Sequence, residues 1–140
     1  MKNETELDKP YFFVILFFTL IFPAISVLAE YLIKPDEIFS ITLVGKWYIF
    51  WAIGIRLFTA GLRQIIAPAF TAKSIFNIDN KECLVIVREL GFANISFGVL
   101  GIVSLILPQW RIVSASGSGI YYGIAGINHL LKKSAGQMKG

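Results

Sequence analysis

Five polar side chains with chemistry to offer fall within or beside long apolar runs: Arg56, Arg63, Glu89, Asn128 and His129. Arg56 and Arg63 are seven residues apart, so on a helix they share a face. A charge at mid-membrane costs at least about 2.5–3.5 kcal/mol on insertion scales, so each calls for a partner. Glu89 is the acidic residue placed to reach either arginine within a bilayer, and Arg63–Glu89 is the expected pair. Asn128 and His129 arrive at similar depth from a later run. Two readings stay open. The group could line a polar pocket for a headgroup, a quinone or a proton, or Arg63 and Glu89 could form a structural ion pair that fixes helix register. His129 also sits beside Lys132 and Lys133, where an interfacial histidine needs no special role. No catalytic residue is assigned, because the chain has no nucleophile triad, metal-ligand cluster, phosphate loop or dinucleotide fingerprint. The single cysteine, Cys83, excludes an internal disulfide, and the single histidine excludes a multi-histidine metal or haem cage within one chain.

The elements that must position these residues follow from the apolar runs. The chain has 140 residues, 56% of them hydrophobic and 16% charged. Its mean hydropathy is +0.69. Soluble domains are nearer 45–50% apolar and about 25% charged. This balance points to an all-α integral membrane four-helix bundle, built as one transmembrane domain with spans near residues 10–33, 44–67, 83–107 and 111–131. Little chain is left over for a separate soluble catalytic domain. Pro10 suits a first helical turn. Pro23 lies inside the first run and cannot donate to the Thr19 carbonyl, so a kink is expected there. Pro68 marks the end of the second span, and residues 70–80 read as a connecting loop. Asp79 and Glu82 have capping-box spacing ahead of the third span. The first run is expected to stay in the protein as a span. Its leading segment mixes Glu4, Glu6 and Asp8 with Lys2 and Lys9, unlike the basic start of a signal peptide.

The net charge of +4 serves topology and contact with anionic lipid rather than nucleic acid. With four spans, one side of the membrane holds Lys2, Lys9, Arg63, Lys73, Lys81, Arg88, Lys132, Lys133 and Lys139. The other holds Lys34, Lys46 and Arg111. The positive-inside rule then places both termini in the cytoplasm of a multi-pass protein of the cell (inner) membrane. Glu30, Lys46 and Arg111 fall near the outer ends of their spans and could gather there, although snorkelling to water also explains Lys46 and Arg111.

Helices in lipid are held together by close packing and polar contacts. The third span carries a stripe of Gly91, Asn94, Gly98 and Gly101, and the fourth a stripe of Ser116, Gly119, Gly123 and Gly126. Both are expected to make close backbone contact, with each other or with another copy. The lipid bilayer is the first partner implied. A homo-oligomer or the other subunits of a membrane complex are the further ones.

Residues Ile55-Arg56-Leu57-Phe58-Thr59-Ala60-Gly61-Leu62-Arg63 resemble the Arg-Leu…Gly…basic pattern in the second span of DoxX-like membrane proteins. Arg88-Glu89-Leu90-Gly91-Phe92-Ala93-Asn94, with Gly98, Gly101 and Arg111, resemble their Glu-x-x-x-Gly-rich third span. The likeness covers roughly Trp47 to Leu131, and the chain is also similar to a group of uncharacterised four-span bacterial proteins. The resemblance implies a four-helix membrane bundle. Some DoxX-like members are accessory subunits of quinone-linked sulfur-oxidising enzymes, and others associate with oxidative-stress proteins. This chain has no cysteine pair, which argues against a thiol relay. The expected function is a non-enzymatic accessory or scaffold subunit with no cofactor of its own. The alternative is a redox component that binds a quinone or lipid in a polar intramembrane pocket.

Overall fold

The computed structural model describes residues 9–34, 36, 38–76 and 79–137, and every regular element among them is a helix. Helix α1 (Pro10–Ile33) and helix α2 (Ile41–Ile66) are each long and apolar enough to cross a membrane. A short helix, α3 (Pro68–Phe76), follows. Helix α4 (Cys83–Val103) is the third of membrane-crossing length and composition. Helix α5 (Trp110–Gln137) is the longest, with 28 residues. Its serines, glycines and Asn128–His129 pair make it less apolar than the other three.

Local chemistry sets the helix ends. The Ser40 hydroxyl accepts from Leu43 N at 3.3 Å and caps α2, which starts a little before the expected residue 44. Pro68 stops α2, as expected, but then opens α3 from its first turn. The expected loop over residues 70–80 is therefore helical as far as Phe76, because Thr71 and Ala72 bury against the body of the protein. At the start of α4 the expected capping box of Asp79 and Glu82 does not form: Glu82 is itself the N-cap residue, without a side-chain cap, and the turn before it is made by Asn80. Its Oδ1 accepts from Glu82 N at 2.9 Å, a turn that asparagine makes two residues ahead.

Two helices contain wider turns. Residues Phe17–Ile21 of α1 are π-helical, and Phe22 N–H reaches back five residues to the Phe17 carbonyl. This segment ends two residues before Pro23, whose missing N–H breaks the α pattern at Thr19. Residues Ile49–Ile55 of α2 are also π-helical.

Helix α2 lies at the centre, packed along α4 and also touching α1 and the first half of α5. Successive long helices run antiparallel. Trp47 near the start of α2 meets Glu30 near the end of α1, and Gly61 late in α2 meets Gly91 early in α4. Arg111 at the start of α5 donates to the Ser104 carbonyl just after α4 at 3.2 Å.

The α2–α4 seam is built on glycine. A Cβ on Gly98 would lie 2.5 Å from Phe58 N, one on Gly101 2.5 Å from Gly54 N, and one on Gly61 2.6 Å from the Gly91 oxygen. Only hydrogen in place of a side chain lets the backbones approach this closely. Buried Asn94 adds a hydrogen bond, Nδ2 to the Gln64 Oε1 at 2.7 Å. The third-span stripe of Gly91, Asn94, Gly98 and Gly101 thus packs on α2, not on the fourth-span stripe. The latter faces outward: Ser116, Gly119, Gly123 and Gly126 are exposed, and a Cβ on any of these three glycines would meet nothing within 4 Å. Helix α5 instead turns Ser114, Gly117 and Ser118 inward, with Tyr121 stacked on Phe97 at 5.8 Å between ring centroids. Bulky rings take the place that a glycine-on-glycine contact would have filled.

Candidate ligand-binding cleft

Two polar sites lie on either side of the α1–α2 contact, and they differ in how their charge is satisfied. Towards the far end of α1, buried Glu30 receives three donors. Lys34 Nζ lies 2.6 Å from Oε1, Trp47 Nε1 lies 2.7 Å from Oε2, and Lys46 also pairs with Oε2. One turn deeper, Trp51 Nε1 donates to the Ser26 hydroxyl at 2.9 Å. Positions 26 and 30 on α1 and 47 and 51 on α2 are each one turn apart, so the two indoles zip the helices together. Phe22 packs on Trp51 at 5.0 Å beneath them. This arrangement is a closed structural clasp, since both carboxylate oxygens are occupied.

The second site is open. A cleft of about 470 Å³ lies between α1 and α5, with α2 as its floor. Its walls are mainly aliphatic: Ile15 from α1, Ile49, Ala52 and Ile53 from α2, and Ala115 from α5. Arg56, Tyr122, Tyr48 and Thr19 supply the polar groups. The volume falls within the range of about 300–1,000 Å³ typical of small-molecule sites, which are largely apolar with a few placed polar groups.

Arg56 is held at the base of the cleft by Tyr122. Its Nη1 donates to the Tyr122 hydroxyl at 2.5 Å, and its guanidinium carbon lies 5.3 Å from the ring centroid. The π-helical turn helps to anchor this tyrosine. Arg56 N–H bonds to the carbonyls of Ile53 and Trp51. The Ala52 carbonyl, the usual α-helical acceptor for that N–H, receives the Tyr122 hydroxyl at 3.4 Å. π-Helical turns recur at functional sites, and here both π segments contribute to the wall. From α1, Thr19 turns its hydroxyl back to the Ile15 carbonyl.

The structure does not assemble the five polar residues singled out in the sequence. Arg56 enters the cleft. Arg63 is exposed and lies over the Phe70 ring, 4.2 Å from the centroid. Glu89 is exposed, and among the described residues it forms no ion pair, so the expected Arg63–Glu89 pair is absent. The reason is angular. Glu89 lies two residues before Gly91, which puts it close to the opposite side of α4 from the face that packs on α2. Asn128 is exposed on α5. His129 belongs to α5, but its side chain lies outside the described residues. Tyr122, one of the aromatic residues that the sequence offered as a possible site lining but that reads more simply as packing, joins Arg56, and Tyr48 and Thr19 are additions. The signal for Tyr122 was Arg56 itself: a mid-span cation requires some polar neighbour, and tyrosine supplies a hydroxyl and a π face together. The Gln64 partner of Asn94 gave a weaker signal, as a lone amide near a span end.

No curated protein and no solved structure matches the chain. A family match does cover residues 10–137, from the start of α1 to the end of α5, and so takes in both the clasp and the cleft. On that match the chain belongs to DUF6790, a family of unknown function.

Proposed function

We propose that this protein is a non-enzymatic four-span subunit of the cell membrane that holds a lipid-like ligand in the cleft beside Arg56. The observation that carries this reading is the Arg56–Tyr122 pair at the base of an otherwise aliphatic cleft of about 470 Å³. A mid-membrane cation is costly to keep without a purpose, and an apolar cleft ending in a fixed donor suits a ligand with an apolar body and an acceptor head. Membrane lipids and quinones both have that form. In this reading α5 is the fourth span, both termini are cytoplasmic by the positive-inside bias, and the helices form one four-helix bundle. The likeness of the Arg56–Arg63 and Arg88–Asn94 segments to DoxX-like proteins supports the same bundle and an accessory role.

Gly45 provides the test. It lines the cleft, and a Cβ there would meet nothing within 4 Å, so a large side chain can fill the space without forcing helices apart. Gently solubilised parent protein should carry a lipid or quinone detectable by mass spectrometry, and Gly45→Phe should lose it while melting like the parent. Equal recovery from both proteins would rule out the cleft as the site. The topology is checked by reporter fusions after Lys133, which should report a cytoplasmic C-terminus; a signal from the opposite side would remove one span from the count.

A scaffold role has one observation in its favour. The outward glycines 119, 123 and 126 of α5 leave room for a helix of another subunit to approach closely.

A further inference from the structure

A cation fixed in an apolar cleft discriminates among lipid-like ligands by the charge of their head. Of the five N–H donors on the Arg56 guanidinium, one is committed to Tyr122. No carboxylate neutralises it among the described residues. Glu30 is taken up by Lys34, Lys46 and Trp47, and Glu89 is exposed on another helix. The walls around it are mainly aliphatic, Ile15, Ile49, Ile53 and Ala115, and the Thr19 and Tyr48 hydroxyls that complete the lining carry no charge to offset it. An unpaired charge beside such surface is costly, and a ligand bearing the opposite charge offsets that cost most. Charge-assisted hydrogen bonds to an anionic head are also about twice as strong as those to a neutral one.

Size and access narrow the class further. The cleft volume lies in the lower half of the range for drug-sized ligands, which suits one hydrocarbon chain rather than the two of a phospholipid. Helices α1 and α5, which flank the cleft, scarcely touch each other, so a chain can enter sideways from the bilayer.

We infer that the cleft selects a single-chain amphiphile with an anionic head, of the fatty-acid type, whose carboxylate pairs with Arg56 and whose chain lies along Ile49 and Ile53. This inference rests on the reading of the cleft as a lipid-like ligand site, and the experiment separates the two. Full-length protein in a non-ionic detergent is titrated with hexadecanoic acid at alkaline pH and, separately, with its methyl ester, and binding is read by native mass spectrometry. One acid should bind per chain, at least tenfold more tightly than the ester. Gly45→Phe should abolish both, and Arg56→Gln should lower the acid to the level of the ester while still binding the ester, which also reports a folded variant. If the parent binds acid and ester equally and Gly45→Phe removes both, the anionic selection is wrong and the cleft reading survives. If the parent binds neither, the inferred ligand class is wrong, and the cleft reading is decided by the co-purified lipid or quinone; if Gly45→Phe changes nothing, both are wrong. The parent's acid-to-ester ratio decides the selection even if Arg56→Gln fails to fold.

Discussion

The two sides of α2 are built on opposite plans. Towards α4, Gly54, Gly61, Gly91, Gly98 and Gly101 bring backbones together until no Cβ fits. Towards α1 and α5, Tyr48, Arg56 and Tyr122 line a cleft that stays open. In lipid there is no water to expel between helices, so a seam gains its stability from van der Waals contact and interhelical hydrogen bonds. Small residues maximise that contact, and large rings with polar tips prevent it from closing. A rigid seam on one face of α2 gives the other face a fixed floor on which a ligand site can rest. The same residue type takes either part according to its neighbour: glycine closes the seam on α4 and leaves the outer face of α5 bare.

The largest effect that sharpens this contrast is expected at Gly98. Its missing Cβ would press on the Phe58 backbone, which cannot swing aside as a flexible side chain could. Gly98→Leu should destabilise the protein by about 3 kcal/mol or more, the upper end for overpacking. Thermal melting in detergent measures this, and a variant that melts like the parent would show that the seam is looser than described.

A smaller loss is expected at Asn94, whose amide binds Gln64 across the seam at 2.7 Å. Asn94→Ala should cost about 1 kcal/mol, in keeping with interhelical hydrogen bonds in membrane proteins. A Gln64→Ala, Asn94→Ala double variant should lose less than the sum of the two single variants, because the bond can be lost only once. Strict additivity in the melting data would mean that the amides act independently.

The smallest effect is expected at Gly123, on the bare face of α5. Gly123→Leu should leave stability within about 0.5 kcal/mol of the parent, as for surface positions free of special contacts. This substitution is also the sharpest way to break the contrast. A loss comparable to that of Gly98→Leu would mean that another helix covers this face, and the two sides of the molecule would then share one plan.

How far these features could be read from the chain depended on how local their causes are. The long apolar runs announced α1, α2 and α4, and Pro68 announced the end of α2, because each follows from chemistry within a few residues. The mid-span position of Arg56 marked it as exceptional for the same reason. The stripe of Gly91, Asn94, Gly98 and Gly101 identified a packing face, but periodicity names a face and not its neighbour. The stripe was therefore expected to meet the fourth-span stripe or another copy, and the structure packs it on α2. The Arg63–Glu89 pair was inferred from matching depth on neighbouring antiparallel helices, and the angle of Glu89 around α4 undid it. The helix at Pro68–Phe76 was missed because burial of Thr71 and Ala72 stabilises a segment too short to hold as a helix alone.

The sequence by itself determined that this is a helical chain with segments able to cross a membrane, where those segments turn, and that a cation would sit deep inside one of them. Those properties depend on composition, run length and proline, which act along the chain. Only the tertiary structure decided that Arg56 meets Tyr122, 66 residues later, and that glycines on α2 and α4 close a seam while those of α5 stay bare. The π-helical turn at Ile49–Ile55 contributes to that outcome. It shifts the register of α2 just before Arg56 and places the Ala52 carbonyl where the Tyr122 hydroxyl reaches it. Such a shift changes which faces meet without any mark in the apolar pattern, and so it is settled by packing.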